Sequence, residues 1–408
     1  MNFVDELKWR GLIKDITSPE LEEKLNAGGM TFYIGTDPTA DSMHIGHLSS
    51  FLISKRLKDA GHHPILLIGG ATGRIGDPKP NVERTMKTDE EIERNVAGLT
   101  KQAKELFGFE VVNNYDWTKD ISVIDFLRDY GKYFNINYML DKDIIRRRLE
   151  TGISYTEFSY MILQALDFLH LHQEKGCDMQ VAGSDQWGNI TAGVDLIRKV
   201  TGDETYAFTM PLVTDSNGVK FGKSEGNALW LDKNKTSSYE LYQFLINAED
   251  SMIGDYLKIY TFLSKEEIED LIEKHNKEPH LRLGQKALAE SIITFLHGKE
   301  EYEKAVRISE ALFSGNIKDL SLSELEEGMK NIPSYELQEE GNIVDILVNS
   351  SIASSKREAR EFVQNGSITI NGDKITDLEF NITKDVAIEG KIVVVRRGKK
   401  KYTILKFI

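Results

Sequence analysis

The first third of the chain switches between two spacings of apolar residues. Thr31 to Gly35 is a short apolar run typical of a buried strand. From Ile45 to Leu57 apolar residues recur at three- and four-residue steps, the spacing of an amphipathic helix that Gly61 would close. A second apolar run, His63 to Ile68, follows. The pattern predicts a βαβ unit whose loop and helix start lie at the carboxyl edge of a parallel sheet.

The same alternation continues as far as residue 213. The predicted helices run from about Thr88 to Phe107, Tyr155 to Glu174 and Trp187 to Val200, and the predicted strands are Glu110 to Asn114, Asp178 to Ala182 and Ala207 to Val213. Strands that alternate with helices in this way predict an α/β domain with a Rossmann-like, doubly wound parallel sheet.

Two further regions follow this sheet. Between Ser237 and Gly315 the apolar periods are helical only, which predicts an all-α domain. From Asn342 onward two helical signals precede a strand-rich end, and Asn371-Gly372 favours a hairpin, so we expect a small α+β domain. We therefore divide the 408 residues into a nucleotide-binding domain over 1–232, an α-helical domain over 233–325, a linker over 326–341 and a third domain over 342–408.

The charge of the chain is unevenly distributed. Residues 342–408 hold 12 Lys and Arg against 8 Asp and Glu, a net charge of +4, which leaves −18 for the rest of a chain whose total is −14. An acidic body with a basic end predicts one local surface that binds a polyanion.

Other features of the sequence bear on where the protein works. No apolar run is long enough to cross a bilayer, and Met1 to Glu6 lacks the basic and apolar segments of a secretory signal. The single Cys177 fits a reducing compartment and is best explained as a small buried side chain. We expect a cytoplasmic protein with no membrane partner.

Two short motifs carry the candidate chemistry. His44 and His47 lie where the predicted helix begins, beside unpaired backbone N–H groups that favour an anionic ligand such as phosphate. Lys220 and Lys223 lie in a glycine-flanked loop that could close over a polyphosphate. Taken singly, the histidines could instead be surface or capping residues, and the lysine loop a solvated turn. Together, in this order on one sheet, they favour a site for a polyphosphate.

These two motifs resemble the ATP-handling signatures of the class I aminoacyl-tRNA synthetases. Within that class the chain is similar, along essentially its whole length, to the bacterial tyrosyl-tRNA synthetases. The strings that carry the likeness are Asp37 to Asp41, Gly69 to Gly73, Asn113 to Trp117, Tyr160 to Asp167 and Gly183 to Asn189. The resemblance implies an enzyme that joins L-tyrosine to ATP, releases pyrophosphate, and passes tyrosine from the adenylate to tRNA(Tyr).

The resemblance also implies roles for individual residues. Those implied to stabilise the transferring phosphate are His44, His47, Lys220, Lys223 and Arg84. Those implied to bind ATP are Gly35, Asp37, Thr39, Gly46, Ser50, Asp185, Gln186 and Ser224. Mg²⁺ would accompany ATP, held mainly by its phosphates, and neither a protein metal site nor a prosthetic group is expected.

The tyrosine pocket is implied in the same way. Its expected residues are Tyr33, Thr72, Asp77, Asn114, Tyr160, Gln164, Asp167 and Gln180. Tyr160, Gln164 and Asp167 follow at steps of four and three and so share a helix face, which alone could equally be a hydrated stripe. In the family, Tyr33 and Asp167 would bind the phenol hydroxyl, a discrimination against phenylalanine for which tyrosine-specific synthetases are the standard example.

The basic end resembles the RNA-binding module of the fourth protein of the small ribosomal subunit. Lys356, Arg357 and Arg360 would contact tRNA phosphates there, although the same residues could form a solvated helix face. By resemblance we also expect a homodimer, built on an insertion over residues 115–153 that is rich in aromatic and apolar residues.

Two alternatives remain open from the sequence. One is an enzyme of the same fold that activates tryptophan, although Asp167 opposite Tyr33 suits a phenol better than an indole. The other is a non-catalytic RNA-binding relative, against which the intact histidine and lysine motifs argue. His170 and His172, two apart on a predicted helix, do not share a face and make a poor metal pair.

Overall fold

The computed structural model describes residues 1–78, 85–224, 227–398 and 401–408. The chain divides into two compact units. The first comprises Met1–Lys235 and Ala248–Leu288, and the second comprises Thr236–Asn247 and Ala289–Ile408. The division into domains 1–232, 233–325 and 342–408 with a linker over 326–341 stays a prediction.

The first unit is built on a six-stranded sheet. Its strands are β1 (Asp15–Ile16), β2 (Thr31–Thr36), β3 (His63–Ile68), β4 (Glu110–Asn113), β5 (Cys177–Gly183) and β6 (Tyr206–Met210). Their spatial order is β1-β6-β5-β2-β3-β4, with β2 to β6 parallel and β1 antiparallel to β6. The chain moves outward from β2 to β4 and returns to the other side of β2 with β5. The strand order therefore reverses between β2 and β5, the place where doubly wound sheets bind ligands. The predicted α/β fold is confirmed.

Helices cover both faces of this sheet. Those of the first unit are Phe3–Trp9, Glu20–Ala27, Ile45–Asp59, Thr72–Ile75, Asp89–Phe107, Tyr115–Thr118, Val123–Asp125, Ile136–Leu140, Asp143–Leu149, Tyr155–Lys175, Trp187–Thr201, Ile253–Tyr260, Lys265–Lys277 and the start of Leu283–His297. A π-helical turn at Phe126–Tyr130 and 3₁₀ turns at Gly131–Tyr133, Ser184–Gln186 and Pro279–Leu281 complete it, with the short antiparallel pair β7 (Lys223–Ser224) and β8 (Asn227–Ala228). Within the described residues, no helix has both the length and the apolar character needed to span a membrane.

Two apolar layers sandwich the central strands. Successive residues of a strand point to opposite faces, so Phe32 of β2 packs with Ile53 and Leu57, whereas Tyr33 faces the layer that contains Phe168. The Tyr33 and Phe168 rings lie with their centroids 5.4 Å apart. This alternation turns Tyr33 toward the helix Tyr155–Lys175.

The second unit joins helices to a mainly antiparallel sheet. Its helices are Ser238–Ile246, the end of Leu283–His297, Lys299–Ser314, Leu322–Gly328, Ile343–Asn349 and Lys356–Gln364, with a 3₁₀ turn at Ile317–Asp319. Its strands are β9 (Ser334–Leu337), β10 (Gly341–Asn342), β11 (Ile368–Ile370), β12 (Asp373–Ile375), β13 (Asn381–Ile382), β14 (Ile392–Arg397) and β15 (Lys401–Phe407). The sheet order is β12-β11-β14-β15-β9, with β9 parallel to β15, and β10 pairs separately with β13.

Two features of this unit bear on the sequence expectations. The predicted hairpin is present, since Asn371 and Gly372 adopt φ of 48° and 94° between the antiparallel strands β11 and β12. The segment 326–341, expected to be a connection, contains the strand β9, which pairs with β15.

Candidate active site

A cavity of about 440 Å³ opens at the carboxyl edge of the first unit's sheet, beside the point where the strand order reverses. Its walls include the ends of β2, β5 and β6 and the segments that follow them. The predicted site residues that line it are Tyr33, Gly35, Asp37, Thr39, His44, Gly46, His47, Ser50, Thr72, Asp77, Tyr160, Gln164, Asp167, Gln180, Asp185, Gln186 and Lys220. The fold therefore brings both predicted pockets, for nucleotide and amino acid, into one cavity.

The remaining predicted residues lie elsewhere. Asn114 does not line the cavity but is bonded to residues that do. Lys223 and Ser224 form β7, directly after the cavity-lining Gly222, and Arg84 lies outside the described residues. The predicted RNA-binding side chains are on the helix Lys356–Gln364 of the second unit.

The two histidines are locked together at the start of the helix Ile45–Asp59. Nδ1 of His44 accepts the backbone N–H of Gly46 at 3.1 Å, and Nδ1 of His47 accepts the backbone N–H of His44 at 3.3 Å. The two rings stack with centroids 3.9 Å apart. Because each Nδ1 is an acceptor, each neutral ring carries its hydrogen on Nε2. Desolvation, with His44 and Lys220 nearby, lowers the pKa of His47 and keeps that ring neutral.

The lysine loop is tied to the same helix start. The backbone N–H of Ile45 donates to the carbonyl of Leu229, and that of Leu231 donates to the carbonyl of Met43, both at 2.8 Å. Gly222 lies against Ile45 so closely that a Cβ at Gly222 would fall 1.7 Å from Cγ2 of Ile45. The start of this helix is therefore packed against the lysine loop at Gly222 and hydrogen-bonded to the segment that follows the loop.

An aromatic cluster supports the lysine loop from the other side. The ring of Phe221 lies 4.3 Å from that of Tyr256 and 5.1 Å from that of Tyr260, measured between centroids. The hydroxyl of Tyr256 donates to the carbonyl of Thr214 at 3.0 Å, and Tyr260 lines the cavity. The helix Ile253–Tyr260 thus takes part in the site, which the sequence did not indicate.

Asp37, predicted to bind ATP, is bonded to two residues predicted to bind tyrosine. One of its carboxylate oxygens accepts the hydroxyl of Thr72 at 2.7 Å, and the other accepts the hydroxyl of Tyr160 at 2.9 Å. Burial and the carboxylates of Asp37 and Asp77 raise the pKa of Tyr160, so this phenol stays a donor. Asp77 in turn accepts the side-chain amide of Gln186 at 3.0 Å.

Asp167, predicted to bind the phenol hydroxyl, lines the cavity and is buried. Its carboxylate accepts Nδ2–H of Asn114 at 2.9 Å on one oxygen and Nε1–H of Trp117 at 3.0 Å on the other. Burial raises the pKa of Asp167 to about 7, although these two hydrogen bonds oppose the shift. Burial and Asp167 also raise the pKa of Tyr33 well above its usual range. The pocket thus pairs a phenol with a carboxyl group that titrates near neutrality.

Two family profiles match the chain. The one described as tRNA synthetases class I (W and Y) matches residues 25–314, and the one described as tyrosine–tRNA ligase SYY-like C-terminal domain matches residues 324–405. The tyrosine–tRNA ligase of Staphylococcus haemolyticus is 52% identical over 414 aligned residues, which cover 99% of each chain. The chain belongs to the tyrosine–tRNA ligase family. It is therefore an aminoacyl-tRNA ligase that uses ATP.

Solved structures agree with this assignment. The C-terminally truncated mitochondrial tyrosyl-tRNA synthetase of Aspergillus nidulans is 33% identical and matches with a TM-score of 0.69, covering 76% of this ligase and 94% of its own chain. A tryptophanyl-tRNA synthetase of Encephalitozoon cuniculi shares the fold alone, with a TM-score of 0.55 and 15% identity over 74% of this chain and 87% of its own. The tryptophan alternative is not favoured.

We predict that Gly222→Ala slows ATP-dependent activation of tyrosine by this ligase roughly a hundredfold, since an ångström-scale displacement at a reacting centre can cost that much. The added methyl group would displace either the lysine loop or the first turn of the helix Ile45–Asp59. The rate is measured as tyrosine-dependent exchange of pyrophosphate into ATP.

Gly218→Ala is the matched control. Gly218 also has a left-handed backbone, with φ of 78° against 88° at Gly222, but among the described residues no atom beyond its chain neighbours lies within 4 Å of an added Cβ. Both variants carry similar backbone strain, and only Gly222→Ala carries the clash. Equal losses of exchange in the two variants would show that contact with Ile45 is not the cause.

Proposed function

We propose that the protein, working in the cytoplasm, activates L-tyrosine with ATP and transfers it to the 3′ end of tRNA(Tyr). A carboxylate oxygen of tyrosine attacks the α-phosphorus, the bond from that phosphorus to the bridging oxygen breaks, and pyrophosphate leaves. A ribose hydroxyl of the terminal adenosine then attacks the carbonyl carbon of the adenylate, and AMP leaves. The observation that carries the proposal is one cavity that holds both the stacked His44 and His47 and the pair of Tyr33 and Asp167.

At the ATP end, the chain would supply donors and positive charge, since the reaction needs no protein nucleophile. The Nε2–H groups of His44 and His47 would donate to phosphate oxygens as negative charge grows on them. Lys220, Lys223 and Arg84 would bind the pyrophosphate that leaves. Mg²⁺ would travel with ATP, coordinated mainly by its phosphates, and no prosthetic group takes part.

The other nucleotide contacts come from segments that follow β2 and β5. Gly35, Gly46 and Ser50 would let the adenosine approach the backbone, and Asp185 and Gln186 would bind the ribose and the α-phosphate region. Asp37, Thr39 and Ser224 complete the proposed ATP set. Asp37 also orders the amino acid side, since its carboxylate is bonded to two hydroxyl groups there.

At the amino acid end, two groups of residues would bind the two ends of tyrosine. Tyr33 and Asp167 would bind the phenol hydroxyl, and Asn114, which donates to both Asp167 and Thr72, would hold the carboxylate in place. The residues proposed to bind the ammonium group are Asp77, Tyr160, Gln164 and Gln180. Phenylalanine has no hydroxyl to donate to the remaining lone pairs of the buried Asp167 and would be rejected.

We predict that the KM for tyrosine in pyrophosphate exchange falls as pH rises from 6 to 8. The raised pKa of Asp167, about 7, means that the carboxyl group is protonated below this range and ionised above it. An ionised carboxylate accepts a stronger hydrogen bond from the phenol, so the fall should be roughly tenfold.

Exchange run with tyrosine, tryptophan and phenylalanine should respond to tyrosine alone.

Asp167→Asn provides the control for this titration. The variant should bind tyrosine more weakly and show no pH dependence of KM between 6 and 8, since an amide does not titrate there. A KM for tyrosine that is flat in the parent enzyme, or a dependence that survives in Asp167→Asn, would contradict the role of Asp167. Exchange driven by tryptophan would contradict the proposed substrate.

The helix Lys356–Gln364 would bind tRNA phosphates. Arg357 and Arg360 lie exposed on one face of it, three residues apart, while Lys356 forms an ion pair with Asp345 at 2.6 Å. We predict that Arg357→Ala with Arg360→Ala weakens tRNA binding and lowers the slope of log affinity against log salt by about two. Tyrosine-dependent pyrophosphate exchange should be unchanged.

Glu361→Ala on the same helix is the control for that pair, since it removes an exposed acidic side chain. It should not weaken tRNA binding or reduce the salt slope. If the double arginine variant binds tRNA with the parent slope, the helix does not contact phosphate.

We also propose a homodimer that forms through the segment 115–153. This segment exposes several apolar side chains, among them Val123, Ile124, Leu127 and Ile136, an arrangement typical of a surface that a partner covers. Sedimentation at micromolar concentration should give about twice the chain mass of 46.3 kDa, and Ile124→Asp should shift it toward the single chain. Finding only the single chain in the parent protein would rule the dimer out.

A further inference from the structure

A stacked pair of rings lies beside the carboxylate of Asp167. The indole of Trp117 and the imidazole of His170 are nearly parallel, with an angle of 16° between their planes and 4.3 Å between their centroids. Trp117 belongs to the short helix Tyr115–Thr118, and His170 follows Asp167 by three residues on the helix Tyr155–Lys175. Nε1–H of Trp117 also donates to Asp167, so the indole contacts both His170 and Asp167.

The two donors that orient Asp167, Asn114 and Trp117, are themselves held in place to different degrees. Asn114 is fully buried, and its side chain also accepts the backbone N–H of Ala71 at 2.7 Å and donates to Thr72 at 3.1 Å. Trp117 is only partly buried and lies on a helix of four residues. The direction of its N–H therefore depends on what packs against the faces of the indole, and His170 packs against one of them.

We infer that His170 is a positioning residue for tyrosine recognition: it holds the Trp117 indole so that its N–H fixes the Asp167 carboxylate that binds the phenol hydroxyl. The inference rests on the proposed role of Asp167. His170 does not line the cavity, so it acts only through Trp117. Nothing in the sequence motifs marks it, since it lies beyond the string Tyr160 to Asp167.

The stack needs a flat ring rather than a charge. Burial lowers the pKa of His170, while Glu174 and Lys175 nearby act in opposite directions, so the imidazole is neutral at neutral pH. Two neutral aromatic rings stacked at this distance attract each other. A phenyl ring at position 170 should therefore replace the imidazole.

The first experiment compares three variants in tyrosine-dependent pyrophosphate exchange. His170→Ala should raise the KM for tyrosine about two- to tenfold, the worth of one aromatic stack, and leave kcat within a factor of about two. His170→Phe should restore the parent KM. His172→Ala is the matched control on the same helix, since His172 contacts Asp178 and Asp203 and does not line the cavity, and its KM should be that of the parent.

The second experiment tests whether His170 acts through the N–H of Trp117 or whether its removal simply disturbs the structure. In a Trp117→Phe background the N–H is absent, so His170→Ala should add nothing to the KM for tyrosine. An equal increase in both backgrounds, or no rescue by His170→Phe, would overturn the inference, as would an unchanged KM in His170→Ala. If Asp167→Asn leaves the KM for tyrosine unchanged, the proposed site itself fails. If Asp167→Asn raises it and His170→Ala does not, only the inference fails.

Discussion

Two backbone hydrogen bonds hold together two segments of the first unit that lie far apart in the sequence. They join Met43 and Ile45, at the start of the helix Ile45–Asp59, to Leu229 and Leu231, which follow the lysine loop. Main-chain bonds of this kind do not depend on side-chain rotamers, so they fix the spacing between the two motifs more firmly than ionic contacts between exposed groups would. Everything proposed for the triphosphate depends on that spacing. The aromatic cluster around Phe221 adds a second support to the same loop.

The proposed tyrosine pocket is organised by burial rather than by opposite charge. Asp167 and Tyr33 are almost inaccessible to solvent, and burial is the main reason for the raised pKa of both groups. Neutral donors, the amide of Asn114 and the indole of Trp117, oppose the shift at Asp167 without cancelling it. A cation beside this carboxylate would have kept it ionised but would also have competed with the phenol for its oxygens. Neutral donors orient the group and leave lone pairs for a ligand.

Much of this arrangement could be predicted from the sequence because the residues concerned recur at regular spacings within a single strand or helix. The apolar runs of β2 and β3 and the period of the helix Ile45–Asp59 place His44 at the sheet's carboxyl edge. The steps of four and three from Tyr160 to Asp167 place three polar side chains on one helix face, which lines the cavity.

Contacts between separate helices or strands could not be predicted from the sequence, because no regular spacing links the residues that meet. The stack of Trp117 on His170 joins a four-residue helix to a long one, and no spacing within either indicates it. The same holds for Tyr256 and Tyr260 against Phe221. The strand β9 also went unpredicted, because it is short and its partner β15 lies at the far end of the chain. Such features depend on tertiary packing, where local propensity carries little weight.

The bonding of the two histidines restricts what could ever stand in their place. Each ring offers a lone pair to a main-chain amide and, in the proposed site, would at the same time offer an N–H to an anion. Only an uncharged group that both accepts and donates hydrogen bonds meets that demand, which among the other side chains leaves the carboxamides of asparagine and glutamine and the hydroxyl groups of serine, threonine and tyrosine. A permanently cationic side chain would bring more charge to the phosphates and yet would break the turn on which the helix starts. These two positions therefore require a side chain that both donates and accepts hydrogen bonds, rather than a basic one.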